Sequence, residues 1–215
     1  MKMATLSKPA PSEYSATVGM LSSMVVGLSL DIPARPGGLD VDKLYTFLYN
    51  VFIICGDLSV DPLDIVAKKM AINRAKYPAA ACKELQHVPK WTELSGVGAV
   101  SQSIIPVYCQ DDEYTGERFA RGFSAVASEV HSFAAARGWL GQYTETRICL
   151  ALVAEVGELA EVLQWLDPDM KVSNFSPDIL SRCCSEIADI LVYAVHACRL
   201  LGVNQDHLED LFEVW

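Results

Sequence analysis

The sequence predicts an all-α fold, a bundle of amphipathic helices. Three observations predict it. Apolar residues recur at three- and four-residue spacing through most of the 215 residues. Alternating strand-like runs are few. The breaks between the periodic segments are marked by proline, glycine and capping residues, as helix ends are.

Taken in order, the first expected helix is Ala16–Leu30, closed by the loop that holds Pro33, Pro36, Gly37 and Gly38. Asp40–Gly56 and Pro62–Lys76 follow, the second opening on a proline, which the first turn of a helix tolerates because its amide would be unbonded there anyway. Pro78 ends it. Residues 79–116 read as a long connection rich in glycine, serine and proline, with an acidic patch at Asp111, Asp112 and Glu113. Glu117–Arg137 is the next helix, and Gly138 and Gly141 bracket a turn around Trp139. Glu145–Trp165 stops at Asp167-Pro168-Asp169, and Pro177–Leu201 starts after Ser176 and ends at Gly202, a residue suited to the left-handed C-cap. Asp206–Trp215 is the last helix.

Composition narrows the functional classes. Hydrophobic residues make up 51 % of the chain, enough for a sizeable core. The net charge is −10, and it is uneven: residues 1–116 hold 10 basic against 12 acidic side chains, residues 117–215 hold 7 against 15. This argues against nucleic-acid binding, which needs clustered Lys and Arg. Seven cysteines without a CxxC pair make no zinc pattern. They read as reduced intracellular thiols, with Cys149 and Cys198 as packing residues, and the expected location is the cytoplasm, an organelle remaining open. The uncharged stretch Ala16–Leu30 after Lys2 and Lys8 has some look of a secretory leader, but Glu13 interrupts the basic region and the repeat described below accounts for the segment as a helix. No apolar run reaches the roughly 18 residues of a membrane span, so no membrane partner is expected.

The chemistry is written in two carboxylate ladders, Glu155-Val-Gly-Glu158-Leu-Ala-Glu161 and Glu186-Ile-Ala-Asp189. Residues three apart share a helix face, so Glu155 projects with Glu158, and Glu186 with Asp189. Both ladders are flanked by apolar residues such as Leu152, Val156, Leu159, Ile187, Ile190 and Leu191. Apart from Arg182, no basic residue at helical spacing within the ladders can pair with them. An unpaired buried charge costs several kcal/mol, and clustered hard oxygens without bases suit Mg²⁺, which takes carboxylates and phosphates together. A solvated acidic face is the plainer alternative. A di-iron bundle is disfavoured because neither ladder is Glu-x-x-His. Glu161 stays open between a ligand through water, a base, and a supporting group. His131 and His196 fall on apolar helix faces and read as core or rim residues.

An internal repeat is also legible. Val18-Gly19-Met20-Leu21 aligns with Val156-Gly157-Glu158-Leu159, Lys43-Leu44-Tyr45-Thr46 with Glu186-Ile187-Ala188-Asp189, and Ser59-Val60-Asp61 with Gly202-Val203-Asn204. In this register the first copy loses every ladder carboxylate: Thr17, Met20, Ser23, Lys43 and Thr46 stand for Glu155, Glu158, Glu161, Glu186 and Asp189.

The pattern Glu155-x-x-Glu158, a gap of 27 residues, then Glu186-x-x-Asp189 resembles the signature of the all-α nucleoside triphosphate pyrophosphatases, the MazG-like superfamily. Leu150 through Trp165 is similar to its dCTP pyrophosphatase branch. So is Lys69-Met-Ala-Ile-Asn73-Arg74-Ala-Lys-Tyr77-Pro78, with Trp91-Thr92-Glu93-Leu94 beyond it. That second motif ordinarily closes the family's domain, yet here it precedes the metal motif. The resemblance therefore implies a tandem, with a degenerate repeat over 1–97, a linker over 98–116 and a metal-bearing repeat over 117–215 that pair as a pseudo-dimer. It implies an Mg²⁺-dependent hydrolysis of a nucleoside triphosphate, dCTP or a related pyrimidine nucleotide, to monophosphate and pyrophosphate. It implies a homodimer of such chains, with Glu155, Glu158, Glu186 and Asp189 as metal ligands; Glu155, Glu158 and Glu161 are the candidate catalytic carboxylates. Trp139 takes the place of the base-stacking tryptophan, although a tryptophan beside a glycine turn also serves as packing. Trp165 and Tyr193 lie near the nucleotide positions, Trp165 reading more as core than as contact. Lys69, Asn73, Arg74 and Tyr77 match the positions that approach phosphates and base, against a plain helix-surface reading. Ala154 stands where many members have another Glu, which the dCTP branch also lacks, and the family's histidine after the tryptophan is replaced by Tyr143 or Thr144. The rearranged ends, with the closing motif ahead of the metal motif, keep open a non-catalytic, nucleotide-binding partner.

Overall fold

In the computed structural model, the described residues are 40–83, 103–106, 115–167 and 170–213. The expected helix Ala16–Leu30, the acidic patch 111–113 and the Trp91–Leu94 motif lie outside them, so the first of the repeat pairings, Val18–Leu21 with Val156–Leu159, is carried by sequence alone. Among the described residues all regular structure is helical: α1 (Val41–Asp57), α2 (Pro62–Lys76), a short α3 (Ala79–Cys82), α4 (Thr115–Ala136), α5 (Glu145–Leu163), α6 (Pro177–Leu201) and α7 (Gln205–Glu213). Single 3₁₀ turns occur at Leu140–Gln142 and Val172–Asn174. No described helix is long and apolar enough to cross a membrane.

The helix starts follow local chemistry. Asp40, Asp61, Thr144 and Ser176 are N-caps whose side chains accept from the backbone amides of Lys43, Leu63, Arg147 and Ile179, which satisfies donors left over at each first turn. Gly202 closes α6 at φ 70°, with the Val203 amide bonded back to the Cys198 carbonyl. Gly138 sits at φ 73° before Trp139. A side chain at either position would be strained in that left-handed conformation. Asp167 and Leu166 fall beyond α5, so the helix ends two residues before the expected Trp165.

One apolar core joins α1, α2, α4, α5 and α6, with Phe52, Phe119, Ile65, Leu152 and Ile187 all buried in it. Helices from both sides of residues 98–116 share this core, and the described part of that connection is itself pinned. Ile104 is buried with its amide donating to Ser181 Oγ at 3.0 Å, and the Ile105 carbonyl accepts from Lys68 Nζ at 2.6 Å. Arg118 pairs with the buried Asp61 at 2.9 Å, tying α4 to the start of α2. Arg137 Nε donates to the Tyr77 carbonyl at 2.6 Å, tying the end of α4 to the end of α2. The six described cysteines are buried free thiols.

The expectation for the histidines meets a specific cluster. His131 and His196 stack with ring centroids 5.5 Å apart, and Tyr143 lies 4.5 Å from His196. His131 Nε2 and His196 Nδ1 have no hydrogen-bond partner among the described residues. Burial, then His131 and Arg199, push His196 down to about 3, and burial with Arg199 lowers His131. A base whose folded pKa is depressed contributes stability above its unfolded value and loses it as pH falls below that value toward the folded one. For His196 the window runs from about 6.5 down to about 3. With an unfolded value of about 6.5, the loss by pH 5 is on the order of 2 kcal/mol. His196→Phe should therefore lose less stability than wild type between pH 7.5 and pH 5 in urea titrations; equal acid losses would contradict this.

Candidate metal and phosphate site

Helices α5 and α6 lie side by side and bring the ladders together. One oxygen each of Glu155, Glu186 and Asp189 falls within 4.8 Å of the others. Glu158 is exposed at the rim, outside this trio, yet near enough that its charge raises both Glu155 and Glu186. Glu161, a turn further along α5, is exposed and stands apart from the trio.

Helix α2 covers the cluster. The Lys69 ammonium is buried, forms a salt bridge with Asp189 and donates to Ser185 Oγ at 2.7 Å. The Asn73 side chain donates to Asp189. Lys69, Asn73 and Lys76 are spaced by four and three residues, so one face of α2 presents all three. Lys76 is also buried, within electrostatic reach of Glu155, Glu186 and Asp189. Arg74 occupies another face and pairs with Glu129 at 2.7 Å.

The electrostatics are those of a crowded acidic site. Burial, followed by Asp189, Glu158 and Glu186, pushes Glu155 up to about 8, against the pull of Lys69. Burial raises Glu186 and Asp189 as well, opposed in both by Lys69. Among the described residues, only Asp189 of the trio has a basic group within ion-pair distance. Three gathered carboxylates against one bonded ammonium crowd negative charge in an enclosed place, which either a proton held on Glu155 or a divalent cation relieves. The donor set, all hard carboxylate oxygens, fits Mg²⁺ in kind.

An aromatic cluster lies at the end of α2. Tyr77 and Phe133 meet the Trp139 ring edge-on, with centroids 5.4 Å and 5.7 Å away, and Cys82, Ala134 and Tyr143 complete the packing. Trp139 is 4 % exposed, and its indole N–H has no partner among the described residues. Tyr193, one turn past Asp189 on α6, is half-buried and is raised by burial, by Tyr143 and by Glu155.

The structure thus gathers Glu155, Glu186, Asp189, Lys69 and Asn73, with Glu158 at the rim, and sets Tyr77 against Trp139. Arg74 lies five residues from Lys69, off the covering face, and pairs with Glu129 rather than with the carboxylate trio. Trp165, expected as core, is 87 % exposed beyond the end of α5. Trp139 is packed rather than open to a stacking base. Lys76 and Ser185 are the site residues that the motifs do not nominate. The 69–73–76 spacing could have found Lys76; nothing in the run Cys184-Ser185-Glu186 singles out the serine.

Comparison with known proteins gives a partial match. The chain is 41 % identical over 64 residues to dCTP pyrophosphatase 1 of Homo sapiens, 42 % identical to that of Bos taurus and 39 % to that of Mus musculus. The match covers 29 % of this chain and 38 % of each of these proteins, so the chain spans well under half the length of the curated relatives it matches. No family model matches, and no solved structure does. The similarity supports a relation to the dCTP pyrophosphatase branch; the tandem arrangement rests on the repeat register and on the order of the motifs in the sequence.

Proposed function

We propose that this chain is a magnesium-dependent nucleoside triphosphate pyrophosphohydrolase acting on dCTP or a related pyrimidine nucleotide. The observation that supports this most is the covering of a three-carboxylate cluster by one face of α2, which carries Lys69, Asn73 and Lys76. Carboxylates alone hold a cation; carboxylates facing ammonium groups suit a cation with phosphates attached.

Glu155, Glu186 and Asp189, with Glu158 at the rim, would hold Mg²⁺, which would neutralise polyphosphate charge there. The chain's own residues do the rest. Lys69 and Asn73 fix the Asp189 carboxylate in position. Glu158, exposed beside the trio, is assigned the proton of the attacking water. The water oxygen bonds the α-phosphorus, the bond from that phosphorus to the bridging oxygen breaks, and pyrophosphate leaves with the electron pair. The Tyr77–Trp139 cluster borders the nucleoside end. The polypeptide order is part of the reading: α2, from the first repeat, completes the site of the second within one chain. Two such chains make the working assembly, for which Leu150 and Trp165 offer exposed apolar surface along and just beyond α5.

The test is pyrophosphate release from a panel of deoxy- and ribonucleoside triphosphates, with Mg²⁺ and with chelator. Mg²⁺-dependent release, fastest with a cytosine nucleotide, is expected. Nucleotide binding with no release across the panel would favour the non-catalytic partner instead.

A further inference from the structure

We propose that Lys76 is the residue that binds the α-phosphate of the nucleotide. The inference rests on the pyrophosphohydrolase reading and adds to it a contact outside the set the sequence nominated.

The basic residues of α2 are accounted for one by one. Lys68 pairs with Asp64 at 2.7 Å, Lys69 with Asp189, and Arg74 with Glu129 at 2.7 Å. Lys76 forms no ion pair with any described residue, although it is 8 % exposed. A buried ammonium without a bonded counter-charge is costly. Burial and the like charge of Lys69 lower its pKa, and Asp189, Glu186 and Glu155 pull it back. The three carboxylates are therefore close enough to act on Lys76 electrostatically and too far to bond it. An anion whose oxygens meet the ammonium on one side and the cation held by the carboxylates on the other fills that gap with matched charge.

The order of groups along α2 says which phosphate this is. Lys69 and Asn73 stand on Asp189. Lys76 is two helical turns beyond Lys69, about 10 Å along the axis, and the next residue, Tyr77, packs on Trp139. Lys76 thus stands between the carboxylate cluster and the aromatic cluster. In a nucleotide laid from metal to base, the group between polyphosphate and nucleoside is the α-phosphate, the one attacked. Its non-bridging oxygens gain charge in the transition state, so a fixed ammonium there acts on turnover as well as on binding.

The test compares wild type with Lys76→Met in the full-length chain, with Mg²⁺ present. Calorimetry uses deoxycytidine monophosphate and inorganic pyrophosphate as separate probes. Lys76→Met should bind the monophosphate about 10-fold or more weakly and pyrophosphate within about 2-fold of wild type, while kcat/KM for the triphosphate falls on the order of 10–10³-fold, mostly in kcat. Lys76→Arg should recover much of the loss, since it restores the charge. If the methionine variant does not fold by circular dichroism, Lys76→Gln carries the same comparison. Unchanged monophosphate binding overturns the proposal. So does an equal weakening of both probes, which would mean that Lys76 contributes only to the general field. A lysine that merely balanced the carboxylates would alter Mg²⁺ affinity and leave both probes unmoved. Failure of the wild type itself to release pyrophosphate overturns the function and this contact together; an active wild type with an indifferent Lys76→Met overturns the contact alone.

Discussion

Asp189→Asn is expected to lower kcat/KM by about 10²-fold or more while the helical fold persists. Asp189 is where the two halves of the site meet. It belongs to the oxygen trio on α5 and α6, and it accepts from Lys69 and Asn73 on α2. The amide keeps the shape and most of the hydrogen bonding but removes one unit of negative charge. Mg²⁺ binding should weaken accordingly, because a hard cation loses a charged oxygen. The core beneath, with Ile187, Leu191 and Ile190 buried on α6, is untouched, so the circular dichroism should match wild type. Wild-type turnover in the purified variant, or unchanged Mg²⁺ affinity by calorimetry, would remove Asp189 from the metal site.

Much of this site is legible in the amino-acid order, and the reason is physical. Three-residue spacing alone places Glu155 beside Glu158 and Glu186 beside Asp189, and their apolar flanks place both ladders on inward faces. The spacing does not rank the four. Glu158 and Asp189 read alike in sequence, yet one is exposed at the rim and the other holds the centre. That difference depends on the rotation of α5 against α6, a tertiary property. The same holds for Arg74, which the motif groups with Lys69: five residues on a helix turn it well away, and Glu129 on α4 is there to receive it.

The helices themselves are set by local signals, and these agree with the structure where they rest on caps. Gly202, Ser176 and Pro177 mark the ends of α6 as read. Trp165 shows the opposite case. Its apolar character argues for burial, but α5 stops at Leu163 and leaves the ring 87 % exposed. A hydrophobic residue past a helix end is not bound by the helix's periodicity. The linker departs from expectation too: Ile104 is a core residue inside a stretch whose glycine, serine and proline content reads as loop. Ile104 and Pro106 are buried while Ser103 and Ile105 are exposed, and an alternation over four residues is too short to stand out in the sequence.

Lys69→Met is expected to destabilise the metal-free protein by about 3 kcal/mol and to make Mg²⁺ a larger stabiliser than it is in wild type. Lys69 lies within the core cover of α2, beside buried Val66 and Met70, and its ammonium bonds Asp189 and Ser185. Methionine fits the same stem volume, so the change is chiefly the loss of one positive charge from among three carboxylates. Removing one partner of a buried ion pair leaves the other uncompensated, and that is the costly half of the exchange. The loss should appear in urea unfolding with chelator present. Added Mg²⁺ should then return more stability to the variant than to wild type, because the cation meets carboxylates that no ammonium neutralises. Turnover should still fall, by roughly 10–10³-fold, since Asp189 loses the group that fixes it opposite the polyphosphate. Two results would count against this account. One is a variant as stable as wild type in chelator, which would mean that Lys69 and Asp189 are not coupled in solution. The other is an equal Mg²⁺ response in both proteins, which would place the cation away from Asp189 and separate the covering helix from the metal chemistry.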